Sequence, residues 1–146
     1  MFDIHFYMKV HDLKYRVMNG EKIEPSKTTD IDDAVIGVDM NTFRIKEHSA
    51  KLQKLFRAGK HFRHFGANAQ EICYVADGST EAFIDMRGKL RVTDMVASYL
   101  ILKEAGGIIR APEGNELDAP LEATARLSFI SAANNTLYEK IRELTS

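Results

Sequence analysis

Cysteine occurs once in this sequence, so an internal disulfide is excluded. Cys73 also lies in an apolar run, which suits a reducing compartment and a place in a core. Long apolar runs are missing as well. None approaches the roughly 18–20 residues a membrane-spanning helix needs. The opening MFDIHFYMKV has no charged segment leading into an apolar stretch, so the expectation is a cytoplasmic protein, neither exported nor anchored. Excess charge is lacking too. Twenty basic and 21 acidic residues are spread along the chain for a net charge of −1, which argues against nucleic acid as a partner. There is no internal repeat, low-complexity tract or second domain boundary. What remains is a chain of 146 residues, 45% of them hydrophobic, enough for one compact domain over 1–146 with a real core.

Pattern along the chain alternates between two periods. IHFYMKV (4–10) and LKYRVM (13–18) are short and rich in aromatic and β-branched residues, and Asn19-Gly20 signals a tight turn, so the first 25 residues read as a small antiparallel meander. AVIGVDM (34–40) is an unbroken apolar run of strand length, expected to be buried on both faces. Ile45, Leu52, Leu55 and Phe56 recur at helical spacing over 45–58, with Gly59 placed to supply a left-handed cap. KHFRHFG reads as a strand running into a loop. A second helix starts at Ala69 and closes at Asp77-Gly78, and TEAFIDM is the next strand. A helix over 94–105, strand GIIRAP, a Glu-Gly-Asn turn, a loop through 115–126, strand FISAA and a helix over 135–144 complete the chain. Strands alternating with helices predict an α/β fold, a layered mixed β-sheet with packed helices.

The helix over 94–105 raises the functional question. Met95, Val96, Ala97, Tyr99, Leu100, Ile101, Leu102 and Ala105 leave it almost no polar face, so it should be enclosed, yet Asp94 stands at its mouth. A carboxylate there caps free backbone N–H groups and sits in the positive end of the helix dipole, typically worth about 0.5–2 kcal/mol. Held rigid and ionised, it is equally a hard-oxygen ligand for Mg²⁺. Composition does not choose between the two.

The surrounding motifs resemble the inositol monophosphatase superfamily of metal-dependent sugar-phosphate phosphatases. Val92, Asp94, Ala97, Ser98 and Gly106-Gly107 fall in the register of its C-terminal signature, with a departure at Val96, where Ala or Cys is usual. FRHFGANAQEICYVADGSTEAFIDMR is similar to its segment preceding that signature, SFISAANNTLYEKI to its closing strand and helix, and KYRVMNGEKIEPS, more faintly, to its Gly-Ala-(Phe/Tyr)-x-Asn-Gly-x-x-Ile-x-Val-Ser stretch. The resemblance implies the C-terminal half of an αβαβα fold. It also implies that Asp94 is a ligand of a catalytic Mg²⁺, in sites whose ions, about 3.5–4 Å apart, activate water against a phosphate monoester. The family's other metal ligands, a Glu-Glu pair and an Asp-Pro-x-Asp-Gly-Thr motif, do not occur in this sequence. The cluster Asp30-Ile31-Asp32-Asp33 lacks that continuation and reads as a solvated turn. One carboxylate does not satisfy an ion that wants six oxygens, so the chain is expected to lack the N-terminal metal-binding half and to be inactive alone.

The resemblance also nominates substrate residues. Arg87 lies seven before Asp94, where inositol-specific members carry a sugar-contacting acid. An arginine there is more like archaeal enzymes that take both inositol phosphates and fructose 1,6-bisphosphate, and its alternatives are a second phosphate or a surface ion pair. Arg63 matches a family arginine near the substrate pocket, though spacing alone makes it an exposed charge. Gly66 and Ala67 open a helix whose N–H groups can face an anionic or hydroxylated substrate, or Gly66 merely permits a turn. His61 and His64 are read as structural, since residues three apart on a strand face opposite ways. Cys73 is read as core, and Glu71 and Glu104 as solvated. The function so implied is the substrate-defining part of a Mg²⁺-dependent phosphomonoesterase for inositol or sugar phosphates, partnered by an N-terminal half or a second copy. The alternatives are a non-catalytic, partner-binding module and a sugar-phosphate sensor.

Overall fold

In the computed structural model, which describes residues 17–41, 45–120 and 122–146, the alternation of strand and helix becomes three layers. A five-stranded mixed sheet lies between two pairs of helices. Its strands are β3 (Val35–Val38), β4 (His61–Arg63), β5 (Ala82–Arg91), β6 (Ile108–Arg110) and β7 (Arg126–Ala132), in the spatial order β4-β3-β5-β7-β6. β3 runs parallel to β4 and β5, whereas β7 runs antiparallel to both β5 and β6. Outside this sheet, β1 (Val17–Met18) and β2 (Glu21–Lys22) form a hairpin. Its Asn19-Gly20 turn has φ of 54° and 87°, the paired positive values a two-residue hairpin turn demands. The strand expected at 4–10 and most of that at 13–18 lie outside the described residues.

Side-chain alternation on the strands builds the two cores. Ile36 and Val38 of β3, Ala82 and Ile84 of β5, and Ile130 and Ala132 of β7 point to one face, where α1 (Ile45–Ala58) supplies Leu52 and Leu55 and α4 (Asn135–Thr145) supplies Leu137, Tyr138 and Ile141. Phe83 and Phe129 point to the other face, under α2 (Asn68–Ala76) and α3 (Val92–Ala105), against Ile72, Val75, Met95 and Leu102. Those two rings meet edge to face at 5.6 Å, an arrangement worth about 0.5–1.5 kcal/mol beyond burial. β3 is buried on both faces, as its unbroken apolar run requires. Among the described residues no helix is long and apolar enough to cross a membrane.

Four local expectations are corrected. Gly59 does not take a left-handed conformation. A Cβ there would lie 2.8 Å from Phe62 Cζ, so any side chain would displace that ring. β5 runs on past Met86 to Arg91, because the pairing with β7 slips between Asp85 and Leu90 and Gly88, at φ 61°, absorbs the irregularity. The enclosed helix is enclosed on one side only: Val92, Met95, Ser98, Leu102 and Ala105 are buried, while Val96, Ala97 and Leu100 are half-buried. Cys73 is likewise half-buried rather than fully in the core, with burial pushing its thiol pKa up.

Candidate active site

Strand geometry assembles a charge cluster that the local sequence does not announce. Asp85 and Arg87 are two apart on β5 and so share a face. The Arg87 fork closes on Asp85, with Nε 3.0 Å from Oδ1 and Nη2 2.7 Å from Oδ2, and the Arg87 N–H donates to the same Oδ1 at 2.9 Å. Asp39 comes in from the end of β3, held beside β5 by its own N–H bonding Ile84 O at 2.9 Å, and places Oδ2 2.5 Å from Arg87 Nη2. Asp85 is 0% and Asp39 5% exposed. Buried carboxylates are tolerable only when paired and hydrogen-bonded, and here one guanidinium serves both. The Asp85 bond, then the charges of the two carboxylates, hold Arg87 more firmly protonated than usual.

Of the two roles weighed for Arg87, the ion pair is therefore formed, and it is buried rather than on the surface. The cluster carries a net charge of −1. Three of the five N–H donors are used, and the two on Nη1 have no hydrogen-bond partner among the described residues. Arg87 and Asp39 also line a cavity of about 130 Å³ walled by Met40, Leu52 and Phe56.

The loop between β4 and α2 lies beside this cluster. His64 Nδ1 stands 3.2 Å from Val38 O and 3.4 Å from Met40 N, which ties the loop to the end of β3. Gly66, at φ 74°, and Ala67 direct their N–H groups to one oxygen, Glu71 Oε1, at 3.1 and 3.4 Å. Their amides are thus engaged within the chain. Glu71 is not solvated as the sequence suggested. It is 2% exposed, and burial pushes its carboxyl above the ordinary range. Its Oε2 is buried without a hydrogen-bond partner, in a space left open by Gly37, where a Cβ would come within 2.8 Å of it. Glu104 is exposed as expected.

Asp94 and Arg63 stand apart from this cluster. β5 passes into α3 with no intervening residue, and Arg91, not Asp94, occupies the cap position. Asp94 is the third helical residue and makes no capping hydrogen bond. It pairs with Arg91 Nε at 2.8 Å, its side chain 39% exposed. The capping role is therefore not taken up, and the favourable position in the helix dipole is. Arg63, exposed at the end of β4, folds its Nη1 back onto Phe62 O at 2.8 Å. The acidic run 30–33 is a turn, with Asp32 exposed and paired to Lys60 at 2.8 Å.

No group of three or more His, Cys, Asp or Glu side chains among the described residues is arranged to hold a metal ion. Asp94 offers one hard, accessible carboxylate. Alone it does not make a tight Mg²⁺ site, since that ion is held by one or two carboxylates only together with substrate phosphates and retained waters.

Sequence reasoning missed Asp39, Asp85 and the buried Glu71. Two signals pointed to them. Asp85-Met86-Arg87 on a strand sets opposite charges on one face, and a glycine inside an apolar strand, Gly37, marks a close approach by another group.

Residues 8–146 match the inositol monophosphatase family. A fructose-1,6-bisphosphatase/inositol-1-monophosphatase of Methanothermobacter thermautotrophicus is 35% identical over 126 residues, covering 86% of this chain and 44% of that protein. A bifunctional NADP phosphatase/NAD kinase of Methanococcus maripaludis is 35% identical over 124 residues, covering 84% of this chain and 21% of its own length. Among solved structures, an inositol monophosphatase-fructose 1,6 bisphosphatase superposes with a TM-score of 0.75 at 36% identity, over 88% of this chain and 48% of that one. The suhB protein of Bartonella henselae, at 24% identity and a TM-score of 0.76, shares the fold. The chain spans about half the length, or less, of the proteins it matches.

Proposed function

Because the chain belongs to the inositol monophosphatase family, we propose that it is the substrate-defining portion of a Mg²⁺-dependent phosphomonoesterase acting on inositol or sugar phosphates. The observation that carries this is Asp94. It stands on the first turn of α3, accessible, unused as a cap, and in register with a glycine pair that ends the helix. Asp94 would hold the metal together with oxygens from outside the described residues. Mg²⁺, when bound, would supply a polarised phosphoryl oxygen and an activated water.

Arg87 gives the substrate two N–H groups rather than a net positive charge, since two carboxylates already oppose it. A polyol hydroxyl suits that donor pair better than a second phosphate does. Arg63, free of acidic partners among the described residues, is the cation placed to meet an anionic group. The metal-completing portion is proposed to dock on the half-buried apolar stripe of α3, Val96, Ala97 and Leu100, next to a cavity of about 160 Å³ lined by Tyr99, Leu117 and Leu127. That stripe also favours a second reading, a partner-binding module without catalysis, since uncovered apolar surface calls for an occupant.

Turnover separates the two. The chain alone with Mg²⁺ should leave inositol 1-phosphate and fructose 1,6-bisphosphate intact. Mixing it with the N-terminal portion of the Methanothermobacter relative should restore hydrolysis, and Asp94→Asn should remove it. Binding without hydrolysis in the mixture supports the second reading. Hydrolysis by the chain alone, unaffected by Asp94→Asn, overturns the assignment of Asp94.

A further inference from the structure

Helix α2 begins without a cap of its own. Ala67 holds the cap position with φ −132° and ψ 78°, and it has no side-chain oxygen to accept from the first turn. Glu71, the fourth helical residue, does not cap that turn either but reaches backward past it to the N–H groups that precede the helix. The left-handed Gly66 makes two successive N–H groups converge on its Oε1, as in a backbone nest for an anion. Gly37 keeps clear the space that the other carboxylate oxygen fills.

We propose that Glu71 is the positioning residue of the 64–67 loop: its buried carboxylate holds the backbone N–H groups of Gly66 and Ala67, and uptake of a proton releases that hold. The groups acting on Glu71 are His64 of the same loop, which favours its charged form, and Asp39 at the end of β3, which opposes it and is itself tied to Arg87. Burial raises the Glu71 carboxyl, with the two amides pulling the other way, so release falls at higher pH than for an exposed glutamate. The consequence for turnover rests on Gly66 and Ala67 forming part of the substrate wall. The positioning itself does not.

The test uses the ¹⁵N-labelled chain with no substrate, so its outcome is independent of the phosphatase assignment. The amide protons of Gly66 and Ala67 are followed by NMR between about pH 4 and about pH 8, a range that spans ordinary Glu and His values. Both should move upfield together in one step as pH falls, with a midpoint above the ordinary glutamate value. Glu71→Gln, a neutral analogue of the protonated acid, should abolish the step and fix both amides at their low-pH, released position, with faster hydrogen exchange than in the unsubstituted chain. Glu71→Ala should accelerate their exchange by about tenfold or more, the loss expected for a bond to a charged group. His64→Gln should leave the step in place. A step that survives Glu71→Gln, or amides that do not titrate in the unsubstituted chain, would overturn the proposal. If Glu71→Ala does not fold, the glutamine variant still decides.

Discussion

Arg87 serves two buried carboxylates at once, and removing it leaves both without a counter-charge. Breaking a buried pair from one side costs about 3–5 kcal/mol, because the remaining charge stays desolvated. Arg87→Ala should therefore lower the urea midpoint by an amount of that order with an unchanged slope. Arg87→Lys should recover only part, since an ammonium cannot reproduce the Nε–Nη2 fork on Asp85. Glu71 gives a pH prediction with a definite sign. Its folded carboxyl binds the proton more tightly than the unfolded one, which ionises near about pH 4.3. Stability is then lost as pH rises from that value through the raised folded one, and is not penalised below it. The stability of Glu71→Gln minus that of the unsubstituted chain should grow over this window in paired denaturation curves, and a shrinking difference would contradict the account. Each cluster was legible only in part in the local sequence, through the Asp85-Met86-Arg87 spacing and through Gly37. Asp39 and Arg87 are joined only by strand pairing, and Glu71 sits beside exposed Gln70 on a helix whose polar positions all look alike in one dimension.

Elements were more legible than contacts. α3 ends where Gly106-Gly107 predicted, because Gly106, at φ 93°, takes the left-handed position and Gly107 N–H closes back on Leu102 O at 3.0 Å. The second glycine has its own reason. A Cβ on Gly107 would lie 2.2 Å from Leu102 Cδ1 and 3.3 Å from Ala132 O, and Leu102 is fully buried. Gly107→Ala should cost about 1–3 kcal/mol, the usual scale of overpacking, read as a lower unfolding midpoint. The start of α3 was misplaced by two residues. Asp94 looked like the cap because it is the first acid before an apolar run, but Arg91 provides the extended backbone from which the helix begins. Since Asp94 bonds no helix N–H, Asp94→Asn should lower the unfolding midpoint only by the loss of its helix-dipole position, about 1 kcal/mol or less, and of its exposed pair with Arg91, which adds little. That makes it a clean control for function, and a large loss of stability would restore the capping role. The length of β5 was also underestimated, because a bulge that lets a strand continue past Gly88 leaves no periodic mark.

At the scale of the whole molecule, alternating strand and helix patterns sufficed for a mixed sheet covered on both faces, since each element's apolar face has only that way to be buried. The order β4-β3-β5-β7-β6 was not readable, because it depends on which strands pair across long separations. The central claim is that Asp94 is one ligand of a metal site that other residues complete. Mn²⁺ binding, measured by electron paramagnetic resonance as loss of the free-ion signal, tests it without requiring turnover. The chain alone should bind Mn²⁺ weakly. Together with the N-terminal portion of the Methanothermobacter relative it should bind more tightly than either part does, and Asp94→Asn should erase that gain. Equal binding with and without the Asp94 carboxylate would contradict the account.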